Sequence, residues 1–214
     1  MRKYLAFLVL GVLAFGSTPL QAAPIHWVLD HEFSGGTPPD GTLAVDLVQT
    51  VAGTVRLTVD ASLLVGGEFV GELLLNVDPT ASISITDLVG PGFYTVGISQ
   101  AQNTYKADGD GKFDIELAFG NAGADRLSAG EKATFDISGT DLVPESFLFL
   151  SDPAGGHGPF YVAAHVGGIG PGGQYSGWVT DQPNGEVPEA STLMLLGSGL
   201  PGLALWARSR RRRG

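Results

Sequence analysis

The feature that most constrains the fold is a two-residue period in hydrophobicity that recurs through the middle of the chain. Apolar residues alternate with polar ones at residues 54–60, 82–86, 112–119 and 134–138. This period places one face of a β-strand on a core and the other face in water. Clusters of Gly, Pro, Asn and Asp separate the runs, as turns require. The pattern predicts an all-β fold, a β-sandwich of the jelly-roll or immunoglobulin-like kind.

The strand positions follow from this alternation and from the turn signals between the runs. Residues 69–75 are apolar except for Gly71 and Glu72, which predicts a central strand buried on both faces. Residues 126–131 are predicted to form a helical turn. The predicted strands span residues 25–33, 42–50, 53–60, 68–77, 81–88, 93–99, 112–119, 132–138, 147–150, 160–166 and 175–179.

The N-terminal end has the layout of a signal peptide. Arg2 and Lys3 precede an apolar run over residues 4–15, and the small residues Ala22 and Ala23 lie at the expected cleavage site. An α-helix of that length extends about 18 Å, which is too short for a bilayer core of about 30 Å. We therefore predict a signal helix, cleavage by signal peptidase after Ala22, and export of the rest of the chain.

The C-terminal end combines a polar motif, an apolar run and a basic stop. Residues 193–207 are apolar or small and predict a short transmembrane helix, which Pro201 would kink. The arginines behind it are expected to stay in the cytoplasm by the positive-inside rule. The residues expected to act in sorting and processing are Ala22, Ala23, Val187, Pro188, Glu189, Arg210, Arg211, Arg212 and Arg213.

The chain therefore divides into five predicted parts. They are a signal peptide (1–22), an all-β sandwich domain (23–182), a linker with the polar motif (183–192), a transmembrane helix (193–207) and a basic cytoplasmic tail (208–214).

The segment 187–214 resembles the PEP-CTERM sorting domain. The resemblance rests on Val-Pro-Glu-Ala-Ser-Thr at residues 187–192, the apolar run, Trp206 and the arginine tail, with Ala190 in place of the second proline of the name motif. It implies that an exosortase, a transpeptidase-like membrane enzyme, removes the anchor. The inner membrane would then hold the chain only transiently, through residues 193–207. The product would pass to the envelope or extracellular matrix of a Gram-negative bacterium that makes exopolysaccharide. Residues 108–115 and 163–170 also resemble stretches of such exported proteins.

The charge of the body limits its partners. Residues 23–187 contain five Lys and Arg against twenty-one Asp and Glu, a formal charge of −16 within a chain total of −10. Such a surface repels nucleic acid and anionic membranes and suits cations or neutral glycans. Solubility of a secreted domain is the alternative reason for this charge. The absence of cysteine excludes disulfides, thiol catalysis and thiolate metal sites.

Asp108, Asp110 and Asp114 form the sharpest candidate for a metal site. Closely spaced carboxylates on a Gly-rich turn can wrap calcium, which takes six to eight oxygen ligands. The EF-hand pattern is not met, because Lys112 and Phe113 occupy positions 5 and 6. The alternative is a tight Asp-Gly turn that leads into a strand with Asp114 on its outer face.

Trp178, Tyr175 and His157 are candidate ligand-binding residues. Aromatic rings can stack on sugars, and His157 lies on a Gly-rich loop. For the aromatic residues the alternative is packing at the edges of the core. His165 lies in an apolar run and is predicted to be a core or interface histidine. Residues 168–173 satisfy G-x-G-x-x-G, but no helix start follows, so a loop is predicted there.

No catalytic motif or metal-binding histidine pattern points to an enzyme. We therefore expect a non-enzymatic exported cell-surface or biofilm-matrix protein with a structural or adhesive role. Its processing partners are signal peptidase and exosortase, and its candidate binding partner is exopolysaccharide. The alternatives are a calcium-dependent carbohydrate-binding module and a secreted hydrolase.

Overall fold

The computed structural model describes residues 22–88 and 94–181. Within these ranges the chain forms two antiparallel sheets, which confirms the predicted all-β class. The two short 3₁₀ helices among these residues are Gly123–Asp125 and Pro144–Phe147. The strands are β1 (Ile25–Leu29), β2 (His31–Ser34), β3 (Thr42–Val51), β4 (Thr54–Leu63), β5 (Phe69–Leu75), β6 (Ile83–Asp87), β7 (Val96–Ala107), β8 (Asp110–Phe119), β9 (Leu127–Ser128), β10 (Lys132–Gly139), β11 (Val162–Ile169) and β12 (Tyr175–Thr180).

Five strands form one sheet and seven form the other. The five-stranded sheet has the order β1-β3-β4-β10-β6. The seven-stranded sheet has the order β2-β12-β11-β5-β8-β7, and β9 pairs with β5 beside that path. Strands β6 and β7 are therefore edge strands of different sheets.

One hydrophobic cluster draws residues from both sheets. Leu57 and Phe135 enter it from the five-stranded sheet, and Leu73 and Leu117 enter it from the seven-stranded sheet. Each of these side chains is fully buried, and burial of such a side chain stabilises the fold by about 1.5–3 kcal/mol. The predicted alternation of β4, β8 and β10 is confirmed, because their buried residues occupy every second position.

Strand β5 is buried on both faces, as predicted. Leu73 and Leu75 face the cluster between the sheets. Leu74 faces the other way and joins a small outer cluster with Ala107, Phe113, Phe160 and Ala163. The pairing of β5 with β11 on one side and β8 on the other explains this burial, because the strand lies inside the sheet.

The run predicted as one strand over residues 25–33 is two strands. β1 pairs with β3 in the five-stranded sheet, whereas β2 pairs with β12 in the seven-stranded sheet. Asp30, which is exposed, lies between β1 and β2, where the chain passes from one sheet to the other. A continuous alternation predicts strand conformation, but it does not reveal that the chain passes from one sheet to the other.

Three further element predictions are wrong in part or in full. Residues 147–150 form no strand, because Phe147 is the last residue of the 3₁₀ helix Pro144–Phe147 and residues 148–150 do not pair with another strand. Residues 126–131 form no helical turn, because Leu127 and Ser128 pair with β5 as β9. The strand predicted to end at residue 99 continues to Ala107 as β7, although its pairing with β8 is interrupted.

The predicted signal helix, linker, transmembrane helix and basic tail lie outside the described residues. Among residues 22–88 and 94–181, no helix is long and apolar enough to cross a membrane.

Candidate functional site

A row of paired residues crosses the outer face of the seven-stranded sheet. Its members are successive register partners on six neighbouring strands. Side chains in such pairs stand next to one another on the same face of a sheet. The row, called here the outer row, consists of Ser34, Trp178, His165, Glu72, Ala118 and Gly97.

Trp178 and His165 form the aromatic part of the outer row. Their ring centroids lie 5.3 Å apart at an interplanar angle of 42°. Both side chains are partly buried, so their rings are held in place while part of each stays open to solvent. Burial lowers the pKa of His165, although the charge of Asp108 acts in the opposite direction. The imidazole is therefore neutral at neutral pH and offers one donor and one acceptor.

Glu72 forms a carboxyl pair with Glu116 on the adjacent strand β8. Glu72 pairs in register with Ala118, and Glu116 pairs with Leu74, so the two carboxyl groups are diagonal neighbours on one face. Partial burial, the charge of Glu116 and a hydrogen bond to Glu116 raise the pKa of Glu72 to about 7. The pair thus retains a proton near neutral pH, and one carboxyl can donate while the other accepts.

A bulge in β5 brings the backbone close to His165. The pairing of β5 with β11 shifts between His165 and Val166, which leaves Gly71 as the extra residue. A methyl group built on Gly71 would lie 3.0 Å from His165 Nδ1 and 3.5 Å from Asn121 Oδ1. Glycine at this position therefore leaves room for the histidine ring, and bulges of this kind often re-aim side chains beside a site.

The outer face of the five-stranded sheet has a different charge arrangement. Arg56 and Asp136 are register partners joined by two hydrogen bonds of 2.9 and 3.0 Å. Lys132 Nζ lies 2.6 Å from Asp60 Oδ2, again directly across two strands. These carboxylates are paired with cations, whereas in the described part of the chain Glu72 has no ion pair with a cation.

Asp110 and His157, predicted as a metal ligand and a ligand-binding residue, are brought together. Asp110 is 5 % exposed and accepts hydrogen bonds from the backbone N–H of Gly156 (2.6 Å) and of His157 (3.1 Å). Its other oxygen lies 2.9 Å from His157 Nδ1. Burial opposes ionisation, but these hydrogen bonds outweigh it and hold the pKa of Asp110 below its ordinary value. Both oxygens of Asp110 thus hold the loop around residue 156.

Asp108 and Asp114 contact different parts of the chain from those that Asp110 contacts. Exposed Asp108 accepts a hydrogen bond from the Ser34 hydroxyl. Asp114 accepts hydrogen bonds from the backbone N–H groups of Val77 (3.1 Å) and Asn103 (2.8 Å). Among residues 22–88 and 94–181, no group of three or more His, Asp or Glu is arranged to hold a metal ion.

The candidate aromatic residues Trp178 and Tyr175 lie on opposite faces of β12, because they are three residues apart in one strand. Tyr175 is half-exposed, and Trp178 is the one that belongs to the outer row. Core packing accounts for Trp27 and Tyr94, both of which are buried. Of the Gly-rich sequence 168–173, which was predicted to be a loop, Gly168 and Ile169 end β11 and residues 170–173 lie in the turn before β12.

Of the predicted processing residues, only Ala22 and Ala23 lie within the described ranges, where Ala22 N–H donates to Gln49 Oε1 at 3.2 Å. The others, Val187, Pro188, Glu189, Arg210, Arg211, Arg212 and Arg213, lie outside them.

The sequence prediction did not identify Glu72, Glu116 or His165 as site residues. Glu72 was visible as the one charged residue in an apolar run, and such a residue is a candidate for function. The partnership of Glu72 with Glu116, and of His165 with Trp178, depends on strand register, for which the sequence carries no local signal.

A scan against protein-family models, a search of curated proteins and a search of solved structures each gave no match for this chain.

Proposed function

We propose that the chain is an exported cell-surface or matrix protein with an adhesive, non-enzymatic role, and that its outer row binds a neutral glycan. The observation that carries this proposal is the Trp178–His165 ring pair beside the Glu72–Glu116 carboxyl pair on one face of a sheet. Within this proposal the two sheets form a sandwich of the jelly-roll or immunoglobulin-like kind.

The chemistry of the outer row suits a sugar. The indole of Trp178 offers an apolar face on which the C–H groups of a pyranose ring can pack. The neutral imidazole of His165 and the half-protonated carboxyl pair offer both donors and acceptors to hydroxyl groups. A few placed polar groups beside an aromatic surface are typical of small-molecule sites. The body charge of −16 favours a neutral sugar polymer over an anionic one.

A glycan screen of residues 23–187 tests the binding proposal. We expect retention on at least one neutral polysaccharide, and a loss of binding of about tenfold or more in Trp178→Ala, equivalent to about 1.4 kcal/mol. Tyr175→Ala is the matched control, because it removes an aromatic ring from the same strand on the opposite face. Equal binding by Trp178→Ala and the unaltered protein would remove the outer row as the site.

The calcium-dependent alternative is tested in the same screen. Binding and melting temperature are measured with calcium and with a chelator. The adhesive proposal predicts no change in either quantity, and a calcium-dependent gain that Asp108→Asn abolishes would favour the alternative.

The export and sorting part of the proposal rests on the resemblance of residues 187–214 to a PEP-CTERM domain. Mass spectrometry of the secreted product tests it directly. A chain that begins near Ala23 and ends near residues 187–189 is expected, and a mature product that retains residues 208–213 would contradict exosortase processing.

A further inference from the structure

The core is left partly uncovered between edge strands β6 and β7, which end different sheets. Ile83 and Ile85 of β6 and Val96 and Ile98 of β7 pack against the cluster between the sheets, but each of them is only partly buried. A cavity of about 270 Å³ lies on this side, with Ile83 and Ile115 among its lining residues. Apolar surface beside a sheet edge is typical of a place where another chain adds a strand.

The edge of β7 offers backbone groups for such a strand. Residues 96–100 pair regularly with β8 on one side, and no described strand lies on the other side. In an antiparallel pair, every second residue directs its N–H and C=O away from the paired strand. Among residues 22–88 and 94–181, no backbone group of residues 96–100 has a hydrogen bond outside the ladder with β8. A further strand can therefore bond here and continue the sheet.

The other three sheet edges are protected in ways that β7 is not. Strands β1, β2 and β6 are four or five residues long and carry the ionisable side chains His26, Glu32 and Asp87. Short length and charge are common protections of an edge strand against pairing with another chain. Strand β7 is 12 residues long, and residues 96–105 include no Asp, Glu, Lys, Arg or His. Its bulge begins after Gln100, so residues 96–100 keep a regular edge.

The absence of charge along β7 indicates which partner fits. The body has a formal charge of −16, so two copies repel each other wherever their acidic faces meet. A second copy can approach along residues 96–105 without that repulsion, whereas a cationic partner is attracted to the acidic faces instead. A two-fold axis sets the same strand of each copy against the other, so an uncharged strand meets an uncharged strand.

Gln100 and Gln102 suit contact with an identical strand. Gln100 is the register partner of buried Ile115, so its side chain lies on the inner face of the sheet, where Val96 and Ile98 are apolar. Gln102 also lines the cavity. Within the part of the chain that the structure describes, neither side-chain amide is hydrogen-bonded to the protein. An amide has both donors and an acceptor, so it can bond to an identical amide of a second copy.

We propose that two copies of the protein associate through their β7 strands, which pair antiparallel about a two-fold axis and join the two seven-stranded sheets into one. The partly buried apolar residues of β6 and β7 and the amides of Gln100 and Gln102 lie at this interface. The axis is perpendicular to the sheet, so both outer rows lie on the same face of the joined sheet. The inference does not rest on glycan binding by the outer row.

Single cysteines test the pairing, because the chain has no cysteine of its own. Gly97→Cys, Ser99→Cys and Ala101→Cys are made one at a time in the full chain and treated with a short bis-maleimide cross-linker. Together they cover the regular part of β7 for different registers of the pair. We expect a covalent dimer for at least one of them. Val28→Cys, at a position of edge strand β1 that is 39 % exposed, is the matched control and should stay monomeric.

A charge exchange shows whether the two β7 strands face each other. Gln100→Glu/Gln102→Glu and Gln100→Lys/Gln102→Lys are each combined with the cysteine that cross-links. Either variant alone sets like charges against one another, so its dimer yield should fall by about tenfold. An equal mixture of the two variants should restore the yield, because opposite charges then meet. Gln174→Glu, in the turn before β12, should leave the yield unchanged, and thermal melting verifies that each variant is folded.

The outcomes are separable because the apolar ends of the chain are present in every variant. Cross-linking through β7 that is lost in each charge variant and returns in the mixture supports the pairing. The inference is overturned if no β7 cysteine cross-links, or if Val28→Cys cross-links equally well. It is also overturned if the charge variants still cross-link, or if folded variants do not regain the yield when mixed, because the strands then do not face each other.

Discussion

The carboxyl group of Glu72 holds its proton to about pH 7 because it is partly buried and hydrogen-bonded to Glu116, whereas its ordinary pKa is 4.5. The native state therefore binds this proton more tightly than the unfolded state does, and the free energy of unfolding falls as pH rises from about 4.5 through 7. Solvent screening reduces the effect, so we expect a loss of roughly 1–2 kcal/mol across this window. Urea unfolding of the protein and of Glu72→Gln at pH 5, 6, 7 and 8 measures it.

Comparing the pH dependence of the unfolding free energy of Glu72→Gln with that of the unaltered protein separates Glu72 from the other titrating groups. His165 contributes with the opposite sign, because its lowered pKa makes stability fall as pH drops below about 6.5. That contribution is present in both proteins, so the difference between them reports Glu72 together with its coupling to the neighbouring His165. Glu145→Gln, at an exposed position, should keep the slope of the unaltered protein. An unchanged slope in Glu72→Gln would show that the carboxyl pair does not share a proton.

Asp110 is buried and Asp108 is exposed, so the same substitution should lower the free energy of unfolding by different amounts at the two positions. Asp110→Ala removes the oxygen that accepts from the N–H groups of Gly156 and His157, so both donors lose this partner. We expect a cost of about 1–3 kcal/mol. Asp108→Ala, at an exposed position, should cost less than about 0.5 kcal/mol. Chemical denaturation at pH 7 compares them, and equal costs would contradict the role assigned to Asp110.

At the level of single residues, the sequence indicated which side chains were unusual but not what they touch. Glu72 stood out in an apolar run, whereas Glu116 was one of twenty-one acidic residues in the body. Asp108, Asp110 and Asp114 are close in sequence, yet Asp110 contacts the loop at residue 156 and Asp114 contacts residues 77 and 103. Such contacts depend on segments distant in the chain, which no local pattern specifies.

Among the elements, β5 has the sharpest consequence for stability. Leu73 and Leu74 are adjacent and fully buried, one in the cluster between the sheets and the other in the small outer cluster. Each substitution to Ala should therefore cost about 2–5 kcal/mol. Leu63→Ala, at a position that is 64 % exposed, is the control and should cost little. Equilibrium denaturation measures all three, and a small cost for Leu74→Ala would contradict burial on the outer face.

The elements that the sequence predicted well are those with strict alternation or a continuous apolar run, such as β4, β5 and β10. Each of these packs against neighbours on both edges, so hydrophobic pattern and burial coincide. Two of the errors lie at β1 and β2, where one run serves two sheets, and at β7, where an edge strand is polar and bulged. Burial does not dictate the side-chain pattern at an edge, so the alternation there is weak.

For the whole molecule, composition and turns were sufficient to predict an all-β fold with two faces to bury, but not the order of strands. β10 lies between β4 and β6, and β11 lies between β12 and β5, so neighbours in space are distant in the chain. Several orders would bury the same apolar faces equally well, which is why alternation alone does not choose among them. The outer row exists only in the observed order, because it is assembled from six strands.

The acidic surface of the body should make its stability depend on the salt concentration. A domain with a formal charge of −16 is destabilised by repulsion among its own carboxylates, and salt screens that repulsion. We expect the melting temperature to rise by about 2–4 °C between 10 mM and 300 mM NaCl, which corresponds to about 1 kcal/mol for a domain of this size. The triple variant Asp30→Asn/Asp141→Asn/Glu145→Gln removes three charges at exposed positions and should show a smaller rise. The ion pairs Arg56–Asp136 and Lys132–Asp60 would be weakened by salt, so a fall in melting temperature would mean that these pairs, rather than the net charge, dominate the electrostatics of the fold.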